Sequence, residues 1–382
     1  MTEQKKKAET KNQHYVPQFY LRYFSVDEKN VGAYILKSGK NIPSAPIRGQ
    51  ASGDYFYSDS MEMEKTLGDL EACAKKVVDK IISAPTEPLS KEEKDTLFEF
   101  NVIQLGRTEA QAKVVEAFYK IPELLSERWT NIGEPDLGKM LKDKFSDLIG
   151  ESPSFPAVFS GGTYAEISEN IRDLDVKVVL VNRKDKAFIT SDNPVAKYDQ
   201  FMERMKLETY GLRSRGLQIF FPLSPQIGVM YYDPECYKLG HEEKEYVELA
   251  QEKDIDELNK LTVCNSDKVL YYRHGTVPNQ EIVTLSEASR GGIPNPIECS
   301  VEDLFPNKSL CIVSNSSLFC NLSLSFIEEL TPFKELQPEA FDPKRHSLRD
   351  VATHSSIIRK TKRSGAPKRS VTLRRPLRRN EA

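Results

Sequence analysis

Apolar residues recur at helical spacing between Met61 and Ser83, where Leu67, Leu70, Ala74, Val77, Val78 and Ile81 fall on one face. Glu71 interrupts that stripe, and a carboxylate on an apolar face requires a partner. Ser90, with Glu93 three residues later, forms a capping box that opens a second helix, expected to run through Asp95, Phe100 and Gln104 to about Tyr119. Its apolar residues Leu97, Phe98, Phe100, Val102, Ile103 and Leu105 spread so widely around the axis that the helix must be largely buried. Gln104 and Arg107, one turn apart, are therefore expected to face the interior. More polar helical patterns follow over 121–150 and 161–173.

The period changes from helical to strand-like at Val176. Lys177–Val181 and Ala187–Thr190, separated by Asn182-Arg183-Lys184-Asp185, predict a hairpin. Leu217–Phe221 and Ile227–Tyr231 predict a second strand pair around Pro222-Leu223-Ser224-Pro225, and Lys268–Tyr272 a last strand. Glu242–Leu261 reads as a helix, and short strands are expected at Gly32–Leu36 and Asp54–Ser58. Helices first and strands afterwards predict an α+β fold with a mostly antiparallel sheet. The expected organisation is a flexible arm over 1–13 and a core over 14–275. That core divides into a helical part over about 60–173 and a sheet-rich part over about 174–275. A loop-rich extension over 276–343 and a disordered basic tail over 344–382 follow.

Composition sharpens this picture at the C-terminus. The chain of 382 residues carries a net charge of −3, but residues 344–382 hold 13 Lys/Arg against 2 acids, so +11 in the tail balances −14 elsewhere. The clusters Arg359-Lys360-Thr361-Lys362-Arg363 and Arg374-Arg375-Pro376-Leu377-Arg378-Arg379 suit nucleic acid bound without sequence preference, weakening as salt rises. An address signal and a solvated tail are the other readings of these clusters. No apolar run approaches the ~20 residues of a membrane span, and the polar first residues predict no secretory signal. The six scattered cysteines (Cys73, Cys236, Cys264, Cys299, Cys311 and Cys320) form no C-x-x-C pair and read as reduced thiols of a cytoplasmic protein.

The candidate chemistry lies in three places. In the aromatic segment Tyr15–Phe24, His14, Gln18 and Arg22 stand four residues apart, so helical geometry after Pro17 places Gln18 and Arg22 on one face with His14 at its entrance. The second place is Gln104 with Arg107, and the third is Asp192 with Asn193. Histidine is suited to proton transfer near neutral pH, and arginine forks suit phosphate. Each position also has a structural reading. His14 suits a hydrogen bond across a packed segment, Ser191-Asp192-Asn193-Pro194 a turn, and Arg107 with Glu71 a buried ion pair.

The run His14-Tyr15-Val16-Pro17-Gln18-Phe19-Tyr20-Leu21-Arg22 resembles the opening motif of the domain of unknown function 4238 family. Gln104 with Arg107-Thr108, Ile189-Thr190-Ser191-Asp192-Asn193-Pro194-Val195 and Phe221-Pro222-Leu223-Ser224-Pro225 are similar to its later motifs, in order, over roughly residues 12–275. The resemblance implies an arrangement in which these motifs converge, and no activity.

If they converge, His14 is the expected acid/base, with Arg107 and Asp192 as its catalytic partners. Gln18, Arg22, Gln104 and Asn193 would then bind substrate. A divalent cation such as Mg²⁺, if one is used, would be held by Glu71 and Asp192. The leading expectation is a nucleic-acid-directed phosphodiesterase or RNase-like toxin or defence effector. The alternative is a non-catalytic nucleotide- or RNA-binding module.

Overall fold

The computed structural model describes residues 12–57, 61–118, 171–205, 211–277, 279–290, 297–305, 308–315 and 320–337, with isolated positions between 127 and 143. The helical patterns expected over 121–150 and 161–173 lie almost entirely outside these residues, as do the arm and the basic tail. The fold is α+β, and every strand pairing among the described residues is antiparallel except one. No helix among them is long and apolar enough to cross a membrane.

The chain opens with β1 (Asn12–His14), α1 (Gln18–Arg22), β2 (Asn30–Ile35), β3 (Lys40–Pro46) and β4 (Ser52–Asp54). Then come α2 (Met61–Ser83), α3 (Lys91–Gly106) and α4 (Glu109–Phe118). The capping box forms as expected, with Ser90 accepting from Glu93 N and the Glu93 side chain accepting from Ser90 N. The single helix expected up to Tyr119 is broken at Arg107. Arg107 leaves helical geometry (φ −96°, ψ 5°), and Thr108 starts α4 by accepting from Gln111 N. The break turns the Arg107 side chain inward, where it is 1% exposed.

The second half contributes β5 (Asp175–Val181), β6 (Thr190–Ser191), β7 (Ala196–Tyr198), α5 (Gln200–Arg204), β8 (Gln218–Ser224), β9 (Ile227–Tyr232), β10 (Tyr237–Leu239), β11 (Tyr246–Leu249), α6 (Glu252–Asn265) and β12 (Val269–Tyr272). A five-stranded sheet runs β11-β5-β9-β8-β7 and a four-stranded one β3-β2-β12-β6. The pair β8–β9 is the expected hairpin. The hairpin expected from Lys177 to Thr190 does not form. Both edges of β5 are taken, by β11 in parallel and by β9 antiparallel, and β6 joins the other sheet beside β12. The helix expected from Glu242 starts only at Glu252, because Tyr246–Leu249 pairs with Val178–Val181 as β11.

Beyond the family-like core, the region expected to be loop-rich contains α7 (Asn279–Arg290), the hairpin β13 (Ile297–Phe305) with β14 (Lys308–Asn315), β15 (Ile327–Glu329) paired with β10, and the short α8 (Thr331–Lys334).

Strand alternation divides the core into layers. Val178, Ile219, Phe221, Val229 and Tyr231 face one side of the five-stranded sheet, where α1, α2 and α3 pack. Val179, Phe220, Met230 and Tyr232 face the other, against α5 and α6. On the first face Phe221 stacks on Tyr20 of α1 at 5.0 Å and lies 5.9 Å from Phe100 of α3. This packing fixes the N-terminal motif to the sheet. A third cluster joins the four-stranded sheet to α6 and α7 through Tyr34, Ile189, Val263, Leu270 and Ile282.

Gly32 is required by close approach. A Cβ there would sit 2.6 Å from the ring of Tyr272 directly across the β2–β12 ladder, and that ring is buried and held by Asn41. Gly32→Ala is therefore expected to cost about 1–3 kcal/mol through overpacking, read as a lower urea midpoint.

Candidate functional site

The site begins with β1. Its pairing with β4 sets His14 opposite Ser52, and Tyr15 N donates to Ala51 O at 3.0 Å. Pro17 then opens α1, whose buried residues Phe19, Tyr20 and Leu21 point into the core and leave Gln18 and Arg22 outward. The Tyr20 hydroxyl donates to Pro222 O at 2.6 Å and bonds the Thr190 hydroxyl at 2.5 Å. Burial pushes its phenol well above the ordinary range, so it remains a neutral structural link. One side chain thus ties together three of the four sequence segments that carry the family resemblance.

His14, Gln18, Arg22 and Glu71 line a cleft of about 400 Å³, with Asn12 and Tyr57 on its walls. Arg22 Nη2 donates to Gln18 Oε1 at 3.4 Å, the i,i+4 contact expected from their spacing. Behind the cleft stands a chain of polar contacts. Arg107 Nη1 donates to Glu71 Oε1 at 2.8 Å, Arg107 Nε to Gln104 Oε1 at 2.7 Å, and Gln104 Nε2 to Tyr15 O at 2.9 Å. The Tyr57 hydroxyl closes the group by donating to Arg107 O at 3.0 Å. Glu71, the acid on the apolar stripe of α2, has thereby found its partner. That partner comes from the break between α3 and α4.

Two nitrogens in this region are buried without a hydrogen-bond partner: His14 Nε2 and Arg107 Nη2. Burial lowers the His14 pKa below 6.5, and the nearby Arg107 charge acts in the same direction. The carbonyls of Arg48 and Ile47 and the Glu71 charge oppose the shift without reversing it. The ring is therefore neutral at pH 7; His14 lines the cleft, and its Nε2 is shielded from solvent with no hydrogen-bond partner among the described residues.

Asp192 and Asn193 are placed elsewhere. They do not line the cleft. The Asp192 carboxylate is 2% exposed, with Oδ1 accepting from Asp267 N at 3.0 Å and Oδ2 from Lys268 N at 2.8 Å and Val269 N at 3.2 Å. Burial pushes its carboxyl up to about 7, with the Asp267 charge adding to the effect and the three amide donors opposing it. Asn193 accepts from Thr108 Oγ1 at 2.9 Å and donates to Asn265 O at 2.8 Å, while Asn265 donates back to Asn193 O at 2.6 Å. This turn is a joint locking β6, β12, the end of α6 and the start of α4.

The predicted set is thus divided. The cleft unites His14, Gln18, Arg22 and Glu71, and Arg107 and Gln104 support it from behind. Asp192 and Asn193 lie outside its lining, and Asn193 bonds Thr108, the neighbour of Arg107. Of the two residues expected to hold a cation, Glu71 lines the cleft and is bound by Arg107, whereas Asp192 lies outside its lining and is bound by three amides. Among the described residues no group of three or more His, Cys, Asp or Glu is arranged to hold a metal ion.

Sequence reading overlooked Asn12 and Tyr57. The signal for both lay in register: β1 pairs with β4, and Tyr57 follows β4 and donates its amide to Gln13 Oε1 at 2.8 Å. A second cleft of about 400 Å³ opens beside Tyr15, Tyr55, Glu109 and Lys113. Three of its polar groups are already engaged, Lys113 with Asp267, and Glu109 with Lys268 and the Tyr15 hydroxyl.

Comparison with curated proteins and with solved structures found no match. One family model matches residues 12–276, from β1, which carries His14, to just past β12, and so spans the cleft, its support and the Asp192 joint. The chain belongs to the family described as protein of unknown function, DUF4238.

Proposed function

We propose that the His14 cleft takes a phosphate-bearing ligand, a nucleotide or a nucleic-acid strand, and that His14 moves a proton there in phosphodiester cleavage. The observation that carries this reading is a neutral His14 ring lining the cleft, its buried Nε2 without a hydrogen-bond partner among the described residues, and the Arg22 guanidinium on the same cleft. Arg107 compensates the Glu71 charge, and Arg22 takes part in no ion pair among the described residues, so the cleft presents a net positive group to an anion. Gln18 adds amide donors beside it. A neutral imidazole at pH 7 is the form that accepts a proton from an attacking hydroxyl or water. The basic tail, read from its sequence, would add affinity for a polyanion that ordinary salt weakens.

A second reading, a non-catalytic nucleotide- or RNA-binding module, is favoured by the withdrawal of Asp192. Without it, and with Glu71 engaged by Arg107, His14 is left as the single near-neutral proton carrier on the cleft.

The test is cleavage and binding of labelled RNA and DNA by purified protein, with and without Mg²⁺ or Mn²⁺, beside His14→Ala, Arg22→Ala and a chain ending at Asp342. His14→Ala is expected to lower turnover roughly 10²- to 10⁴-fold with an unchanged circular dichroism spectrum, and Arg22→Ala to weaken binding. Turnover is expected to rise with pH through a midpoint below the ordinary histidine value and then level off, since the neutral ring is the active form. Binding without cleavage, lost in Arg22→Ala, selects the second reading. Neither binding nor cleavage removes both.

A further inference from the structure

We propose that Cys264 and Cys320 are a reversible disulfide site, closed by peroxide and opened by thiols, that fastens the segment beyond the family-like core to the end of α6. In sequence the two cysteines are about 56 residues apart and share no motif. The fold brings them together. Segment 320–325 lies against α6: Ser325 bonds both carboxylate oxygens of Asp254 near the start of the helix, and Lys253 Nζ donates to Ser323 Oγ at 3.1 Å.

From Asp254 to Cys264 the helix rises about 15 Å. Five residues separate Ser325 from Cys320, with Asn321 in left-handed geometry (φ 45°), and the packing at the far end of the helix sets Cys320 beside Cys264. Asp254, Glu257, Leu261 and Cys264 follow one another at three- and four-residue steps, which keeps Cys264 on the same side as Asp254. Cys264 packs against the apolar cluster that contains Cys320, and the two thiols are within hydrogen-bonding reach of each other.

The position of Cys320 is also fixed from the other side. Glu203 accepts from Cys320 N at 2.9 Å and from Asn321 N at 3.0 Å, and the Tyr198 hydroxyl accepts from Leu322 N at 2.9 Å. The Cys264 thiol and burial together push the Cys320 thiol up, so it remains protonated. Cys264 is partly exposed and is the sulfur that an oxidant meets first.

The chemistry balances with hydrogen peroxide as the oxidant. The Cys264 sulfur attacks one peroxide oxygen, the O–O bond breaks, and a sulfenic acid and water result. The Cys320 sulfur then attacks Cys264 Sγ, the S–O bond breaks, and the Cys320 proton leaves with the second water. The two thiols lose two electrons in all, and peroxide gains them. A thiol reductant reverses the link by exchange.

The site has a structural consequence because Asn265, next to Cys264, holds the Asn193 turn by reciprocal hydrogen bonds. Oxidation therefore ties residues 320–337 to the same helix end that anchors the Asp192 joint.

The test oxidises the full chain, in a Cys73→Ser background that removes the one fully exposed thiol among the described residues, with hydrogen peroxide. Alkylation and peptide mapping by mass spectrometry follow. The expected result is a cross-linked Cys264–Cys320 peptide, loss of two hydrogens from the intact protein, reversal by dithiothreitol, and a thermal midpoint raised by several degrees. Cys320→Ser is expected to stop at the Cys264 sulfenic acid, trapped by dimedone. Oxidation that leaves no Cys264–Cys320 peptide, or that carries Cys264 on to sulfinic acid while Cys320 stays alkylatable, overturns the proposal.

Discussion

Arg107→Ala is expected to lower the thermal midpoint by roughly 10 °C, the largest effect of any single substitution considered. The guanidinium is 1% exposed, pairs with Glu71 at 2.8 Å and holds Gln104 at 2.7 Å. Removing one partner of a buried pair costs about 3–5 kcal/mol, because the other charge is left without compensation. Glu71 is 27% exposed and regains some water, which moves the expectation toward the lower end. The loss of the Gln104 contact and of the side chain's volume moves it back. For a domain of this size each kcal/mol corresponds to about 2–4 °C.

Glu71→Gln retains a neutral acceptor and is expected to cost about 1 kcal/mol. Arg107→Lys keeps the charge but not the fork that serves Glu71 and Gln104 together, so it should recover only part of the loss. Differential scanning calorimetry of the three variants checks this series. A fall below about 3 °C for Arg107→Ala would mean that the cleft wall stands without its support.

Asp192→Ala has the second large effect, also on stability. It leaves the amides of Asp267, Lys268 and Val269 without their acceptor, and a buried unsatisfied donor costs about 1–3 kcal/mol. Water reaches some of this surface, so the total is expected near 3–5 kcal/mol. The same carboxyl gives a pH signature. Its folded pKa of about 7 lies above the ordinary value near 3.8, so between these limits the folded protein keeps a proton that the unfolded chain has released.

Stability from this group is therefore full below about pH 4, falls as pH rises toward 7, and is level above that. The slope is up to about 1.4 kcal/mol per pH unit. Asp192→Asn cannot ionise and should remove this component of the slope, read from urea midpoints across the window. Equal slopes in the two proteins would mean that the three amide donors hold the carboxylate ionised throughout.

These two residues also mark the limit of what the sequence reveals. Arg107 was legible as an inward-facing residue because the apolar positions of its helix leave no polar face, and Glu71 because it interrupts an apolar stripe. The break after Gly106 was not, since it depends on Thr108 reaching Asn193, 85 positions away. Asp192 carried the look of a catalytic acid in a motif, but its oxygens are taken by amides some 75 residues on, and no local pattern records that.

The failed hairpin has the same origin. Lys177–Val181 and Ala187–Thr190 have strand character, yet β5 has both edges occupied by distant strands. β11 was hidden because Tyr246–Leu249 is four residues long and flanked by Glu242, Glu243, Lys244 and Glu245, which read as a helix surface. Local signals place amphipathic helices, caps and tight hairpins. Partners across tens of residues decide the rest.

Whether the His14 cleft receives a phosphate-bearing ligand is decided by following the ring resonances of the five histidines by NMR during titration with nucleoside monophosphates and short oligonucleotides. His14→Ala identifies the His14 signal. This signal is expected to shift saturably and its pKa to rise when the phosphate dianion binds, with His241 and His274 unmoved and the effect lost in Arg22→Ala. A His14 resonance that does not respond, or that responds equally in Arg22→Ala, would contradict this reading of the cleft.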